Sequence, residues 1–178
     1  HTGEEKIFFK LIKKLLLKYK NIKIIIAPRH PDRSNLIIEM FDQEKINSNL
    51  FNDSINLEED VLIINSFGKM ALYYSLSDIV ILGGSFTKMG GHNPMEPAHN
   101  NCVVITGPHI YNWENVYLDM INNNACFLCN NIKELDQIVT TMFQDLNKMN
   151  VNKIKAKKYS KNNFFEMEKL ISKIENYI

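Results

Sequence analysis

The chain has 178 residues, 45% hydrophobic and 23% charged, which is the composition of an ordinary globular protein that can bury a sizeable core. Because no apolar run approaches the roughly 20 residues that a membrane-spanning helix needs, the sequence excludes a transmembrane helix. The net charge is +1, yet residues 1–20 carry six Lys against two Glu, and residues 148–178 carry eight Lys against three Glu. We interpret these Lys-rich ends as solvated faces of amphipathic helices rather than as sites for nucleic acid or an anionic membrane.

The first residues, HTGEEKIFF, contain neither an initiator Met nor a signal-peptide pattern, so we expect a fragment or a processed product. The three cysteines, Cys102, Cys126 and Cys129, are odd in number, which favours a reducing compartment. Cys126 and Cys129 match C-x-x-C, but they lie in an apolar run without a second Cys or His pair nearby. We predict buried structural thiols there and no metal site.

The first third of the chain predicts two helices and a strand. Apolar residues between Phe8 and Tyr19 recur at helical spacing. A strand follows over Ile22–Ala27, and a second helix over Arg33–Gln43. The Asn-rich segment 45–59 is harder to assign, and we expect at most a short strand within Ser48–Ile55.

From residue 61 onward, strands and helices alternate. The predicted strands are Val61–Ile64, Ile79–Leu82, Cys102–Thr106 and Ala125–Cys129. The predicted helices are Gly68–Leu76, one from Asn93, Trp113–Asn123, Lys133–Leu146, and one or two within Val151–Ile178. This alternation predicts the α/β class, with an open, doubly wound, Rossmann-like parallel sheet of five or six strands in a single domain over residues 1–178. Ligands of such sheets bind beyond the carboxyl ends of the strands.

The most informative segment follows the predicted strand at Ile79–Leu82. Gly83-Gly84-Ser85 ends that strand, and Gly90-Gly91 leads into His92-Asn93-Pro94-Met95-Glu96. Glycines let a ligand approach the backbone, a helix start offers N–H groups to a phosphate, and Glu96 can accept hydrogen bonds from sugar hydroxyls. The segment therefore predicts a nucleotide or nucleotide-sugar site. Its spacing matches neither G-x-G-x-x-G nor a Walker A motif, which disfavours NAD and P-loop ATP chemistry.

Two further loops follow predicted strands and are expected at the same sheet edge. One contains Pro28, Arg29, His30 and Arg33, and the other contains Phe67, Gly68 and Lys69. Arginine suits a phosphate, although Arg29 could instead cap a helix or pair with Asp32. The histidines could be structural, and Gly83-Gly84 could be a plain tight turn. We find no catalytic triad and no paired carboxylates, so no catalytic residue is predicted within this chain.

Six segments in combination resemble the Kdo (3-deoxy-D-manno-octulosonic acid) transferases of lipopolysaccharide assembly. They are HTGEE at 1–5, APRHPDR at 27–33, VLIINSFGKM at 61–70, DIVILGGSF at 78–86, GGHNPMEP at 90–97 and ITGPH at 105–109. The resemblance covers nearly the whole chain, as the C-terminal half of such an enzyme. One departure is Gly68-Lys69-Met70, where the family pattern is Gly-Glu-Leu. A backbone contact survives that change, whereas a side-chain role of the Glu does not.

The resemblance implies a GT-B glycosyltransferase that is inverting, independent of metals and without a cofactor. Its donor substrate is CMP-Kdo and its acceptor is a lipid A precursor. The implied CMP contacts are Pro28, Arg29, Phe67, Gly68, Lys69, Asn93, Pro94, Met95 and Glu96, with Glu96 on the ribose. The implied phosphate or sugar contacts are His30, Arg33, Gly83, Gly84, Ser85, Gly90, Gly91 and His92.

The resemblance also implies what lies outside the chain. The general base, most of the acceptor site and any membrane-anchoring segment belong to an N-terminal domain of the family. The full-length protein is then expected at the cytoplasmic face of the bacterial inner membrane, on which it meets its acceptor. We expect the fragment to be soluble, to bind CMP weakly and to lack transferase activity, and its terminal helices, residues 150–178, to pack on the missing domain. Two alternatives stay open, a non-catalytic nucleotide-sugar-binding module and a GT-B enzyme or epimerase that uses a UDP-sugar.

Overall fold

The computed structural model describes residue 1, residues 3–51 and residues 59–175, with side chains described as far as residue 163. The chain, predicted as one domain, divides into two compact units, His1–Met70 and Ala71–Ile178. Each unit contains a small parallel sheet with helices, so each is described by itself.

The first unit contains two helices and three strands. Its elements are α1 (Glu4–Lys18), β1 (Ile24–Ile26), a 3-10 helix (Pro31–Arg33), α2 (Ser34–Gln43), β2 (Ser48–Leu50) and β3 (Val61–Ile63). The strands are parallel in the order β1-β3-β2, so that Ile63 pairs with both Ile26 and Leu50. The central strand β3 is fully buried, and its side chains pack with apolar residues of α1 and α2. Phe9 and Phe41 stack there at 4.9 Å between ring centroids.

The second unit continues the same alternation. Its elements are α3 (Met70–Ser75, which begins at the last residue of the first unit), β4 (Ile79–Ile81), α4 (Met95–His99), β5 (Val103–Thr106), α5 (Glu114–Asn122), β6 (Phe127–Leu128), α6 (Ile132–Gln144) and α7 (Leu146–Glu175). The strands are parallel in the order β4-β5-β6. Strand β5 is buried throughout, and α4, α5 and α7 contribute Ala98, Tyr117 and Ala156 to one core.

The predicted α/β class with parallel strands is confirmed, and each predicted helix and strand corresponds to an element. The strands nevertheless pair differently from the expectation of one sheet, because the described residues form two sheets of three strands each. Periodicity indicates that a segment is a strand, whereas strand pairing depends on hydrogen bonds between segments distant in sequence.

Several boundaries differ from the predictions. The helix expected from Gly68 begins at Met70, and the helix expected from Asn93 begins at Met95 and has only five residues. The Asn-rich segment forms β2 over Ser48–Leu50, while residues 52–58 of that prediction lie outside the described residues. One long helix, α7, occupies the place of the one or two expected terminal helices. The predicted packing of its last side chains lies outside the described part and stays a prediction.

The three cysteines are free and buried, as predicted. Burial raises the pKa of Cys102 to about 11 and that of Cys129 to about 12, and it raises the pKa of Cys126 further. These thiols are therefore protonated and unreactive at neutral pH. Over the ranges that the structure describes, no group of three His, Cys, Asp or Glu residues is placed to hold a metal ion. Nor does any described helix combine the length and apolar character needed to cross a membrane.

Candidate nucleotide-sugar site

The candidate site of the second unit is the loop between β4 and α4, here called the glycine loop (residues 83–94). The loop folds back on itself, since the Gly91 N–H donates to the Gly84 carbonyl at 3.1 Å. Gly90 and Gly91 have φ angles of 87° and 74°, which residues other than glycine rarely adopt. A Cβ atom on Gly90 would also lie 2.5 Å from the Asn112 side chain. Backbone conformation therefore favours glycine at both positions, and at Gly90 the close approach of the Asn112 side chain adds to this preference.

Residues at and before the start of α5 hold the glycine loop. The Asn112 side-chain amide donates to the Met89 carbonyl at 2.8 Å, and the Asn112 N–H donates to the Gly90 carbonyl at 3.0 Å. The Tyr111 hydroxyl donates to the Lys88 carbonyl at 2.7 Å. The sequence analysis did not assign these residues to the site, because nothing local in the sequence links residues 111–117 to the loop.

Ser85 lies inside the unit rather than at a ligand surface. Its hydroxyl donates to the Leu82 carbonyl at 2.6 Å and accepts from the Gly107 N–H at 2.8 Å. A Cβ atom on Gly107 would lie 2.4 Å from the Ser85 carbonyl oxygen, so the two chain segments approach closely. Since Ser85 is completely buried, its predicted contact with phosphate or sugar is revised to a structural role that joins the ends of β4 and β5.

The segment from Asn93 to Glu96 combines an anchored backbone with an exposed carboxylate. The Asn93 side chain accepts from the Met95 N–H at 3.0 Å and donates to a Glu96 carboxylate oxygen at 3.3 Å. Pro94 is buried, and Met95 packs against the core, while Glu96 is exposed. Burial, with smaller contributions from the charges of Glu96 and Cys102, raises the pKa of Tyr74 to about 12. Because the Asn93 amide holds the exposed Glu96 carboxylate, Glu96 is a positioned hydrogen-bond acceptor that a ligand can reach.

The helix that follows this segment is shorter than expected. With five residues, α4 has a much smaller dipole than a long helix, and the Asn93 side chain already occupies the Met95 N–H. The start of α4 therefore offers a phosphate less than the sequence predicted, because its dipole is small and one of its N–H groups is already bonded. Gly90 and Gly91 are buried, and the Gly91 N–H is bonded to the Gly84 carbonyl, so the phosphate or sugar contacts of Gly90, Gly91 and His92 stay predictions.

In the first unit, two predicted loops leave the same edge of the sheet, because β1 and β3 are parallel neighbours. The loop after β1 holds the half-buried Pro28 and the exposed Arg29 and His30. The loop after β3 holds Phe67, which is 76% exposed, and the exposed Gly68 and Lys69. These predicted residues are therefore on the surface at one edge.

Two hydrogen-bonded residues stabilise this edge. Ser34 Oγ lies 2.7 Å from the Pro31 carbonyl and 2.9 Å from the Ile64 carbonyl, so it joins the loops after β1 and β3. Arg33 forms a 2.7 Å ion pair with the buried carboxylate of Glu5 at the start of α1. This pair uses one of the five N–H donors of the Arg33 guanidinium and fixes its position, so the phosphate contact of Arg33 stays a prediction.

A search of solved structures found a likeness to the crystal structure of the C-terminal CMP-Kdo binding domain of WaaA from Acinetobacter baumannii. The TM-score is 0.81 at 24% sequence identity, over 89% of this chain and 83% of that chain. At this identity the likeness defines the fold, and this chain is a Rossmann-like α/β domain.

Among curated proteins, the chain is similar to the 3-deoxy-D-manno-octulosonic acid transferase of Haemophilus influenzae, with 38% identity over 119 residues that cover 66% of this chain. It is also similar to the enzyme of the same name from Rickettsia prowazekii, with 32% identity over 158 residues that cover 88% of this chain. No family model matches the chain. The predicted resemblance is confirmed, and the chain is a relative of the Kdo transferases. It spans only 28% and 33% of those two enzymes and so corresponds to a part of such a glycosyltransferase.

Proposed function

We propose that this chain is the donor-binding domain of a Kdo transferase and holds CMP-Kdo for transfer to a lipid A precursor. The observation that carries the proposal is the anchored glycine loop, which follows the carboxyl end of β4 and leads to the exposed Glu96 carboxylate in α4. This is the position at which parallel α/β sheets bind their ligands. The name of the structurally similar domain from Acinetobacter baumannii supports the choice of CMP-Kdo.

In the proposed complex, Glu96 accepts hydrogen bonds from the ribose hydroxyls, and Asn93 holds the Glu96 carboxylate for this contact. The phosphate or the sugar of the donor lies beside the segment from Gly90 to His92. For the first unit, the CMP contacts of Pro28, Arg29, Phe67, Gly68 and Lys69 are proposed from the family resemblance. Their exposure on the sheet edge is compatible with that role.

The proposed reaction breaks the bond between the Kdo anomeric carbon and the phosphate oxygen. CMP leaves, and the acceptor hydroxyl attacks the opposite face of the sugar, which inverts the anomeric centre. The leaving phosphate needs fixed positive or hydrogen-bonding groups, which the glycine loop would supply without a metal ion. The base that takes the acceptor proton is proposed to lie in another part of the full-length enzyme, at the membrane surface.

Calorimetric titration of this chain with CMP, with UMP and AMP as controls, tests the proposal. We expect selective CMP binding that Glu96→Ala weakens by about tenfold or more, because the variant loses hydrogen bonds to a charged acceptor. Glu39→Ala, which removes an exposed carboxylate on α2, is the matched control and should leave the affinity unchanged. Preference for UMP would contradict the proposal and favour a UDP-sugar enzyme.

A further inference from the structure

Five consecutive backbone carbonyls of the glycine loop, from Lys88 to His92, each accept a hydrogen bond from one short segment. The donors are Tyr111, Asn112 and Tyr117. The Tyr117 hydroxyl bonds the His92 carbonyl at 2.6 Å, and the Asn112 amide lies 3.4 Å from the Gly91 carbonyl, which is its longest contact. Each donor lies about 20 or more residues beyond its acceptor, so the loop conformation is imposed by tertiary contacts rather than by local sequence.

The donor segment is itself firmly placed. Tyr117 is fully buried, and its ring packs in the core of the second unit. Burial raises the pKa of Tyr117 well above the usual value for tyrosine, so its hydroxyl stays protonated and able to donate over the physiological range. Asn112 is exposed, but it contributes both its side chain and its backbone N–H to three adjacent carbonyls.

The fixed carbonyls matter because the loop contains two adjacent glycines, and glycine loses more backbone freedom on ordering than any other residue. A loop that is ordered before the ligand arrives spares the complex that entropic cost. The bonded carbonyls are turned toward residues 111–117. The loop conformation beside Asn93 and Glu96 therefore depends on these donors.

We propose that Asn112 and Tyr117 are positioning residues that hold the glycine loop in its ligand-binding conformation without touching the ligand. The inference rests on the proposed function, since it assigns the phosphate or sugar of the donor to this loop. Asn112 and Tyr117 lie outside the predicted contacts with CMP, phosphate or sugar, and they set the affinity for the donor through the conformation of the glycine loop.

The test compares Asn112→Ala, Tyr117→Phe and the double variant with two matched controls. Tyr159→Phe removes a tyrosine hydroxyl that donates to Asp119, and Asn123→Ala removes an asparagine side chain bonded to the same residue. Both controls delete the same chemical groups, from α7 or from the residue after α5, without touching the glycine loop. The measurements are the dissociation constant for CMP, amide hydrogen exchange of residues 84–92 in the free chain, and the melting temperature.

We expect each loop variant to weaken CMP binding by about tenfold and the double variant by more, with exchange of the loop amides accelerated at least tenfold. The controls should change neither quantity. Loop variants that lower the melting temperature yet leave CMP affinity and loop exchange like those of the controls would overturn the inference. Should the wild-type chain not bind CMP, the proposed function fails by itself. Loop exchange in the free variants then decides the inference, and unchanged exchange would overturn it.

Discussion

Ser85 shows how a polar residue of the glycine loop can be committed to the fold. Its hydroxyl bonds both the Leu82 carbonyl and the Gly107 N–H, and both of these backbone groups are buried. Ser85→Ala would leave two buried groups without a partner, so we expect a loss of about 1–3 kcal/mol in the free energy of unfolding. Urea denaturation measures this loss.

Ser75→Ala is the matched control for that prediction. The Ser75 hydroxyl donates to the Leu72 carbonyl at 2.7 Å on the exposed surface of α3, where water can replace it. The expected change is below about 0.5 kcal/mol. Equal effects of the two substitutions would mean that the hydrogen bonds of Ser85 are not the source of its importance.

Gly90 and Gly68 separate two reasons for glycine. Their φ angles are nearly equal, 87° and 85°, but a Cβ atom would meet the Asn112 side chain at Gly90 and nothing within 4 Å at Gly68. We expect Gly68→Ala to cost about 1 kcal/mol from backbone strain alone, and Gly90→Ala to cost about 2–3 kcal/mol. Thermal or urea unfolding of both variants measures the difference, and a smaller loss for Gly90→Ala would contradict the close contact.

At the scale of elements, the N-terminus of α6 is capped by two side-chain hydrogen bonds that run in opposite directions. The Asn131 side chain accepts from the Glu134 N–H at 3.0 Å, and the Glu134 carboxylate accepts from the Asn130 N–H at 2.8 Å. This hydrogen bond from the Asn130 backbone is the main reason that the pKa of Glu134 is lowered. Asn131→Ala should cost about 1 kcal/mol of stability, as measured by urea unfolding at pH 7.

The contribution of Glu134 has a pH dependence of known sign. A lowered carboxyl pKa in the folded state means that the stabilisation is present above the unfolded-state pKa and is lost as the pH falls through the folded-state pKa. Glu134→Gln should therefore remove part of the acid sensitivity of the second unit. A pH profile of stability identical to that of the wild type would count against the capping interaction.

The elements differ in how far their sequences specify them. Strand β5 and the apolar face of α6 are predictable because a continuous apolar run and a 3.6-residue spacing are local signals. Helix α4 was expected at Asn93 but begins at Met95, because the Asn93 side chain accepts a hydrogen bond from the Met95 N–H and so forms a turn before the helix. Pairing of the strands into two sheets was not predictable from periodicity at all.

At the scale of the whole molecule, the buried thiols and phenols predict the alkaline limit of stability. Burial raises the pKa of Cys102 to about 11 and of Cys129 and Tyr74 to about 12. An acid with a raised folded-state pKa is protonated in the folded chain at a pH at which the unfolded chain has already lost the proton. Stability should therefore fall as the pH rises above about 9.

Denaturation midpoints at pH 8 and pH 10 measure this fall. A chain in which Cys102, Cys126 and Cys129 are replaced by Ala should lose a smaller part of its own stability over the same interval, because thiolate formation no longer favours its unfolded state. The same pH dependence of stability in both chains would show that other groups set the alkaline limit.

Alkylation of the native chain by iodoacetamide at pH 7.5 should be slow, because the three buried thiols are protonated at that pH.

The sequence by itself determined the α/β class, the order of helices and strands, and the glycine-rich segment that ends in Glu96. Each of these depends on residues that are neighbours along the chain. Tertiary structure alone decided that Arg33 pairs with Glu5, that Ser85 is bonded to Gly107, and that residues 111–117 hold the glycine loop. These contacts join residues that are about 20 or more positions apart. Only the folded backbone brings their polar groups within hydrogen-bonding distance, because local propensity carries no information about that distance.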